Sequence, residues 1–336
     1  MPRHTRERVT VLGGDVGGTK IHLGLYVEGR GRPRLMELKT FASQESPNLE
    51  GIVERFLQAH PAPVKAACFG VAGPVIRGKS RITNLPWSVS EARLKRRFQW
   101  SRVRLINDLT ATALALQLLA PRERVTLNRA RGATNGNLGL VAPGTGLGEA
   151  LLVFDGRAYI PIPSEGGHTD FSPATKNEVL LWEYLNERYG HVSMERLLSG
   201  PGLLNIYSWL RDSGRFEEPP RLSRRLGTED PARVISEEGL RSQNPLCREV
   251  LRLFTSILGR EAGNLALKGM TLGGVYLGGG IPPKILDVLK EDAFLEAFIN
   301  KGRFSGLMKR IPVRVILNDK AALLGAARCA LDMVSE

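Results

Sequence analysis

The chain has 336 residues, 42% of them hydrophobic and 24% charged, with 47 Lys and Arg against 34 Asp and Glu and a formal net charge of +13. This balance excludes an intrinsically disordered chain, and no apolar run approaches the ~20 residues that a membrane-spanning helix needs. The length fits two domains of roughly 150 residues, or one large unit with a cleft. The first eight residues, MPRHTRER, are basic, and no apolar stretch of signal-peptide length follows, so the expected location is cytoplasmic. Three cysteines, Cys68, Cys247 and Cys329, lie far apart and fit small core residues in a reducing compartment. No CxxC or CxC pair exists, which excludes a multi-cysteine zinc site. The positive balance comes from 35 Arg against 12 Lys, scattered along the chain, and aromatics are only 6%. Both features speak against nucleic acid as a partner; an anionic small-molecule substrate fits the same charge.

Residues 9–12 form a short apolar run, followed by Gly13-Gly14-Asp15-Val16-Gly17-Gly18-Thr19 and a second β-like run at 21–27. The natural reading is two strands joined by a glycine-rich turn. A third strand is expected at 35–41, a helix at 49–60 and a buried-type strand at 64–71. Asn84-Leu85-Pro86-Trp87 reads as an exposed turn carrying a large aromatic. A helix over 90–98 leads to a short buried strand at 103–106, which hands over at Asn107-Asp108 to a helix over 109–119. From residue 138 the pattern restarts: an apolar run at 138–141, the turn Pro143-Gly144-Thr145-Gly146-Leu147-Gly148, and apolar residues at 150–154. Strand, Gly/Thr turn, strand thus occurs twice, which points to a duplicated domain. Helices are expected over 177–188, 246–267 and 320–333, and strands at 275–277 and 313–317. Residues 213–233, rich in Pro, Arg and Glu, read as a surface excursion. The domains implied are a basic extension over 1–8, a small α/β domain over 9–120 and a large one over 121–336, with the C-terminal helix free to pack back on the small domain.

Glycine turns bring bare N–H groups close to a ligand, and phosphate oxygens seek such donors. Three clusters qualify: residues 15–19, 144–148 and 278–280. None is a Walker A loop and none is GxGxxG, so neither a P-loop NTPase nor a dinucleotide-binding domain is supported. Asp15 in the first turn would repel a phosphate unless a cation intervened, which suggests Mg²⁺ held directly or through water; alternatively Asp15 only caps the hairpin. Asp108 stands at a strand-to-helix junction, where ligands gather in α/β folds, but could equally be the helix N-cap. In Glu165-Gly166-Gly167-His168-Thr169-Asp170 the glycines disfavour a helix, so a loop presenting Glu165 and His168 to a polar ligand is expected. Glu195 taken alone reads as a helix-surface charge. Carboxylates, an amide and an imidazole are suited to hydrogen-bonding vicinal hydroxyls.

Taken together and in this order, Gly14-Asp15-Val16-Gly17-Gly18-Thr19, Thr83-Asn84, Ile106-Asn107-Asp108, Gly144-Thr145-Gly146-Leu147-Gly148, Glu165-Gly166-Gly167-His168, Leu198-Ser199-Gly200-Pro201-Gly202 and Gly279-Gly280-Ile281 resemble the bacterial ATP-dependent glucokinase family. The resemblance runs from about residue 9 to about residue 330. It implies an α/β, two-domain hexokinase/actin-like fold, a duplicated ribonuclease H-like architecture with an interdomain cleft. It implies transfer of the γ-phosphoryl of MgATP to glucose, with Asp108 as the base that takes the proton of the 6-hydroxyl. Asn107, Glu165, His168 and Glu195 are then the sugar ligands, with Asn84 nearby. Asp15, Gly17, Gly18 and Thr19 form one phosphate loop, Gly144, Thr145 and Gly146 the other, and Gly278, Gly279 and Gly280 part of the adenosine site; ATP and Mg²⁺ are the cofactors, and a homodimer the expected assembly. Most members of the wider ROK family carry a cysteine-rich zinc motif beside the catalytic His, and its absence here favours the zinc-free branch. Two departures stand out: Pro143, where a small residue is common, and Lys20, where Asn is frequent. The alternatives are a broader hexose kinase acting on mannose or glucosamine, and a non-catalytic sugar- and nucleotide-binding regulator.

Overall fold

The computed structural model describes residues 9–82, 85–241 and 244–335, which divide into two compact units: one contains residues up to 120 together with 318 onward, the other residues 121–317. The basic extension over 1–8 lies outside the described residues. In the first unit, β1 (Thr10–Val16), β2 (Lys20–Val27) and β3 (Arg34–Ala42) form an antiparallel meander. Helix α1 (Leu49–Ala59), capped by the Asn48 side chain on Gly51 N, then crosses to β4 (Val64–Val71), parallel to β1. A small hairpin, β5 (Lys79–Arg81) with β6 (Ser88–Ser90), precedes α2 (Glu91–Phe98), β7 (Val103–Asn107), which is parallel to β4, and α3 (Asp108–Ala115). Among the described residues the sheet order is β3-β2-β1-β4-β7. Trp87, expected to be exposed, is instead buried in the core of this unit with Ile82 and Val89.

The second unit opens with the short strand β8 (Arg124–Thr126). It then repeats the plan: β9 (Leu138–Pro143), β10 (Leu147–Phe154) and β11 (Tyr159–Ser164) form an antiparallel meander. The helices α4 (Lys176–Tyr189), α5 (Gly200–Asp212), α6 (Pro220–Thr228), α7 (Pro231–Leu240) and α8 (Pro245–Gly269) follow. Strand β12 (Gly274–Leu277) runs parallel to β9. Helices α9 (Leu286–Leu289), α10 (Asp292–Ile299) and α11 (Ser305–Met308) lead to β13 (Val313–Ile316), parallel to β12. The order β11-β10-β9-β12-β13-β8 matches that of the first unit with one extra edge strand. The repeated strand–turn–strand motif of the sequence is therefore a repeated sheet topology. Finally, α12 (Ala321–Ser335) returns to the first unit and packs on α3, β1 and β4.

One further local reading needed correction, the extent of the helix after Asp108, and two others gain detail. The stretch over 213–233 is mostly helical: Arg225 of α6 binds Glu229 and Glu237 at 2.8 Å and Glu238 at 2.5 Å, tying α6 to α7. The helix after Asp108 ends at Ala115 and tightens into a 3₁₀ turn over Leu116–Leu118. The cysteines are all buried and free, as expected of small core residues, and Cys68 on β4 and Cys329 on α12 lie close enough to perturb one another.

Candidate active site

In the first unit the parallel strands β1, β4 and β7 bring Asp15, Val71 and Asn107 to one sheet end, through the pairs Asp15–Gly70 and Val71–Asn107. The turn after β1 is tight: Gly17 N donates to Lys20 O at 3.0 Å, and Ser43 binds Gly17 O and Thr19 O at 2.9 Å each. Gly18 is half-buried, and Thr19 and Lys20 are exposed. Asp15 itself lies within β1, paired on both sides, rather than in the turn where the sequence reading placed it.

Burial, and then the neighbouring charge of Asp108, pushes the Asp15 carboxyl up to about 7, with Lys320 pulling it back. Two carboxylates at adjoining strand ends, each disfavouring ionisation of the other, form a donor set that a divalent cation relieves. They fit the one or two carboxylates that Mg²⁺ takes alongside phosphate oxygens. Because the folded pKa lies above the ordinary aspartate value of 3.8, this group's contribution to stability is present below about pH 4 and is lost as pH rises through about 7. Asp15→Asn is therefore expected to melt higher than the parent at pH 8, with the gap shrinking towards pH 4. Equal melting temperatures at pH 8, by calorimetry without Mg²⁺, would contradict this.

The cap role that Asp108 could have filled belongs to Asn107. Asn107 Oδ1 accepts from Leu109 N at 2.9 Å and from Thr110 N at 3.4 Å, and its Nδ2 donates to Gly73 O at 3.3 Å. Asp108 is the first helical residue, and its Oδ1 accepts from the adjacent Leu109 N at 2.9 Å. Asn84 lies outside the described residues.

In the second unit, the loop expected at Glu165 is a single 3₁₀ turn, Gly166–His168, preceded by Glu165. His168 N donates to Glu165 O and Thr169 N to Gly166 O, both at 3.0 Å, and both Glu165 and His168 are exposed. Met194 N donates to Thr169 O at 2.9 Å, which docks this turn on a second one, Met194–Arg196. That contact places Glu195. Its Oε2 accepts from Leu147 N at 2.8 Å, and its Oε1 lies 4.0 Å from His168 Nδ1. Far from being an outward helix charge, Glu195 lies over the Gly144-Thr145-Gly146 turn, where a side chain at Gly146 would collide with its carboxylate.

The second and third glycine clusters adjoin. Gly144 N donates to Gly146 O at 2.8 Å, Ile281 N to Pro143 O at 3.3 Å and Gly278 N to Val141 O at 2.9 Å. Gly279, at φ +78, brings its backbone against Pro143 O, a contact and a conformation that exclude any side chain. Beside them opens a cavity of ≈ 550 Å³ lined by Gly144, Thr145 and Gly280, by Gly200 and Pro201 at the start of α5, and by Asp230, Lys284 and apolar neighbours. Gly200 N donates to Gly144 O at 2.8 Å, so the start of α5 is pinned to the glycine turn.

A family model described as Glucokinase matches residues 12–333. The chain belongs to the glucokinase family. A glucokinase of Synechocystis sp. is 37% identical, the match covering 96% of this chain and 98% of that one. The solved structure of a glucokinase from an Antarctic psychrotroph superposes with a TM-score of 0.87 at 30% identity, covering 96% of this chain and 99% of that one. A ROK family glucokinase from Streptomyces griseus, solved with glucose and AMPPNP, shares the fold at 22% identity and a TM-score of 0.64, over 96% of this chain and 99% of that one. The expected two-domain sugar-kinase fold is thereby established. Among the described residues no cluster of three or more His, Cys, Asp or Glu could hold a metal ion, and no helix is long and apolar enough to cross a membrane.

Within the glucokinase frame, the sequence reading left two groups of residues without a role. Asp230 and Lys284 line the cavity but sit in no recognisable motif; the Leu198–Gly202 stretch carried the resemblance, and its position at the cavity mouth was the available signal. Glu149, directly after Gly148, was passed over because one charged residue in an apolar strand has no periodic signature.

Proposed function

We propose that this chain is an ATP-dependent glucokinase that moves the γ-phosphoryl of MgATP to the 6-hydroxyl of glucose, giving glucose 6-phosphate and ADP. One observation carries the reading: the carboxylate of Glu195 joins the turn bearing Glu165 and His168 to the glycine turn at 144–146, so hydroxyl-binding and phosphate-binding groups are neighbours within one unit. In this reading Glu165, His168, Glu195 and Asn107 hydrogen-bond the sugar hydroxyls, each carboxylate accepting up to two. Backbone N–H groups of the Gly17-Gly18-Thr19 and Gly144-Thr145-Gly146 turns receive phosphate oxygens, and the cavity beside Gly280 takes the adenosine. Asp108 accepts the proton of the attacking hydroxyl, whose lone pair is thereby freed for phosphorus as the β,γ-bridging bond breaks. Mg²⁺, when bound at Asp15, supplies charge neutralisation on the phosphates. A homodimer in the cytoplasm completes the reading, and sedimentation velocity tests the assembly.

A coupled assay that follows ADP with glucose, mannose and glucosamine separates this reading from its rivals. Turnover with glucose as the preferred acceptor is expected; binding of sugar and nucleotide without turnover would favour the regulator. Glu165→Gln is expected to raise the glucose KM by tenfold or more while leaving the ATP KM nearly unchanged, because a site built to bond hydroxyls loses heavily when one partner is altered. A glucose KM within about twofold of the parent would remove Glu165 from the sugar site.

A further inference from the structure

Beneath the turn that carries Glu165 and His168 lies a buried pair of carboxyl groups that phosphoryl transfer does not use. Glu149 of β10 is 3% exposed and Glu261 of α8 is 2% exposed. Glu149 Oε1 and Glu261 Oε1 are buried with no hydrogen-bond partner among the described residues, and the charge of Glu261 acts on Glu149. Burial of both carboxyls with orphaned oxygens disfavours ionising both, which favours a neutral, protonated Glu149. Glu261 is the anchored partner. Its Oε2 accepts from Asn264 Nδ2 at 2.9 Å, and Lys301 Nζ donates to Asn264 Oδ1 at 2.6 Å and to Arg260 O at 3.0 Å. Glu149 is the partner that meets the turn. A side chain at Gly166 would collide with Glu149 Oε2 and come within 3.0 Å of Ser164 Oγ, and one at Gly167 would collide with Leu147 O. The two glycines thus lay the turn flat on β10, with nothing between Gly166 and the Glu149 carboxyl.

We propose that Glu149 is a positioning residue for the sugar turn: its buried carboxyl, neutral against Gly166, lets the turn seat Glu165 and His168 for glucose, and its ionisation beside Glu261 weakens glucose binding. The proposal rests on the assignment of Glu165 and His168 to the sugar. Burial, and then the charge of Glu261, pushes Glu149 up to about 8, with Lys268 pulling it back. The charged groups facing the pair are Lys268 from α8 and Lys301 beyond α10, with Arg260 beside Lys301; β9 presents apolar Val141 opposite Glu149. Once both carboxyls ionise, two adjacent buried anions repel and must separate or hydrate. β10 and α8 are core elements, whereas Glu165 and His168 stand exposed on a single 3₁₀ turn, so the turn is the part that yields.

The test is glucose affinity against pH by isothermal titration calorimetry without nucleotide, together with kcat at saturating glucose. In the parent protein the glucose Kd is expected to weaken by about fivefold or more from pH 7 to pH 9.5, with the ATP KM level. Glu149→Gln keeps the shape of the side chain but cannot ionise, so its Kd should stay flat over the same range. Glu261→Gln should flatten the profile too, and carries the test if the first variant does not fold. A pH-independent Kd in the parent, or glutamine variants that keep the alkaline loss, would overturn the proposal. Glu165→Gln separates the two levels of argument: weak binding at every pH supports the sugar assignment whatever Glu149 does, and normal binding removes that assignment before Glu149 is at issue.

Discussion

Asp108→Asn is expected to lower kcat at least about a hundredfold, since a positioned base at the acceptor hydroxyl contributes typically ~10² to 10⁴ in rate. The amide matches the carboxylate in shape and hydrogen-bonding reach but cannot take the proton. The structure sharpens this test. The orphan N–H groups at the start of α3 are satisfied by Asn107, which accepts from Leu109 and Thr110, so the cap survives the substitution. Asp108 Oδ1 also accepts from Leu109 N, a bond that an Asn oxygen reproduces. The change further removes the charge that helps to raise Asp15, so the carboxyl of Asp15 should titrate lower in the variant. The melting temperature should therefore hold or rise at pH 8, and the ATP KM should stay nearly constant. A folded Asp108→Asn protein with near-normal kcat would sink the mechanism.

Gly325→Ala is the second large effect, and it acts through packing. Gly325 lies in α12, where a Cβ would overlap Ala111 O and lie 2.8 Å from Ala111 C and 3.2 Å from Ala115 N. Those are backbone atoms of α3 and cannot rotate away as a side-chain end would. Helix α12 also covers β1 and β4, so its displacement loosens the sheet end that carries Asp15. Overpacking of this kind costs about 3 kcal/mol, partly offset by the better helix propensity of Ala, which is worth up to ~1 kcal/mol. The net loss should lower the melting temperature by roughly 5–10 °C. Activity should fall as well, because α3 begins with Asp108. Gly227→Ala in α6 is the control: no atom lies within 4 Å of the added methyl, so propensity alone acts and a small stabilisation is expected. If both variants melt within a degree or two of the parent, the close approach of α12 to α3 is not what requires glycine at 325.

Much of the fold was legible before any coordinates. The strand–turn–strand repeat at residues 9–27 and 138–154 appears as two sheets of the same strand order, because continuous apolar runs and glycine turns are written locally. Long helices such as α4 and α8 fell within a residue or two of expectation, because one apolar face repeats over many turns. Elements whose local chemistry opposes them were missed. Strand β11 contains Pro161 and Pro163, tolerated because it is an edge strand paired only with β10. Helix α5 opens with Gly-Pro-Gly, tolerated because first-turn N–H groups need no helical partner and Ser199 caps Gly202. Helices α6 and α7 fall largely in the stretch read only as a surface excursion, and Arg225 ties them together through three glutamates.

The candidate site divides in the same way. The residue types and their order, with an acid after a buried strand, two Gly/Thr turns and a Glu-Gly-Gly-His turn, were properties of the sequence alone. Their combination and order carried the resemblance to the glucokinase family, and phosphate and hydroxyl recognition is chemistry that such groups suit. Only the tertiary structure decided what each group does. It made Asn107 rather than Asp108 the cap. It turned Glu195 from a surface charge into the link between the sugar turn and the glycine turn. It also paired Glu149 with Glu261, from a strand and a helix far apart in the chain. Those outcomes depend on desolvation and on distances of a few ångströms between distant segments, and a carboxylate's environment is not encoded in its sequence neighbours.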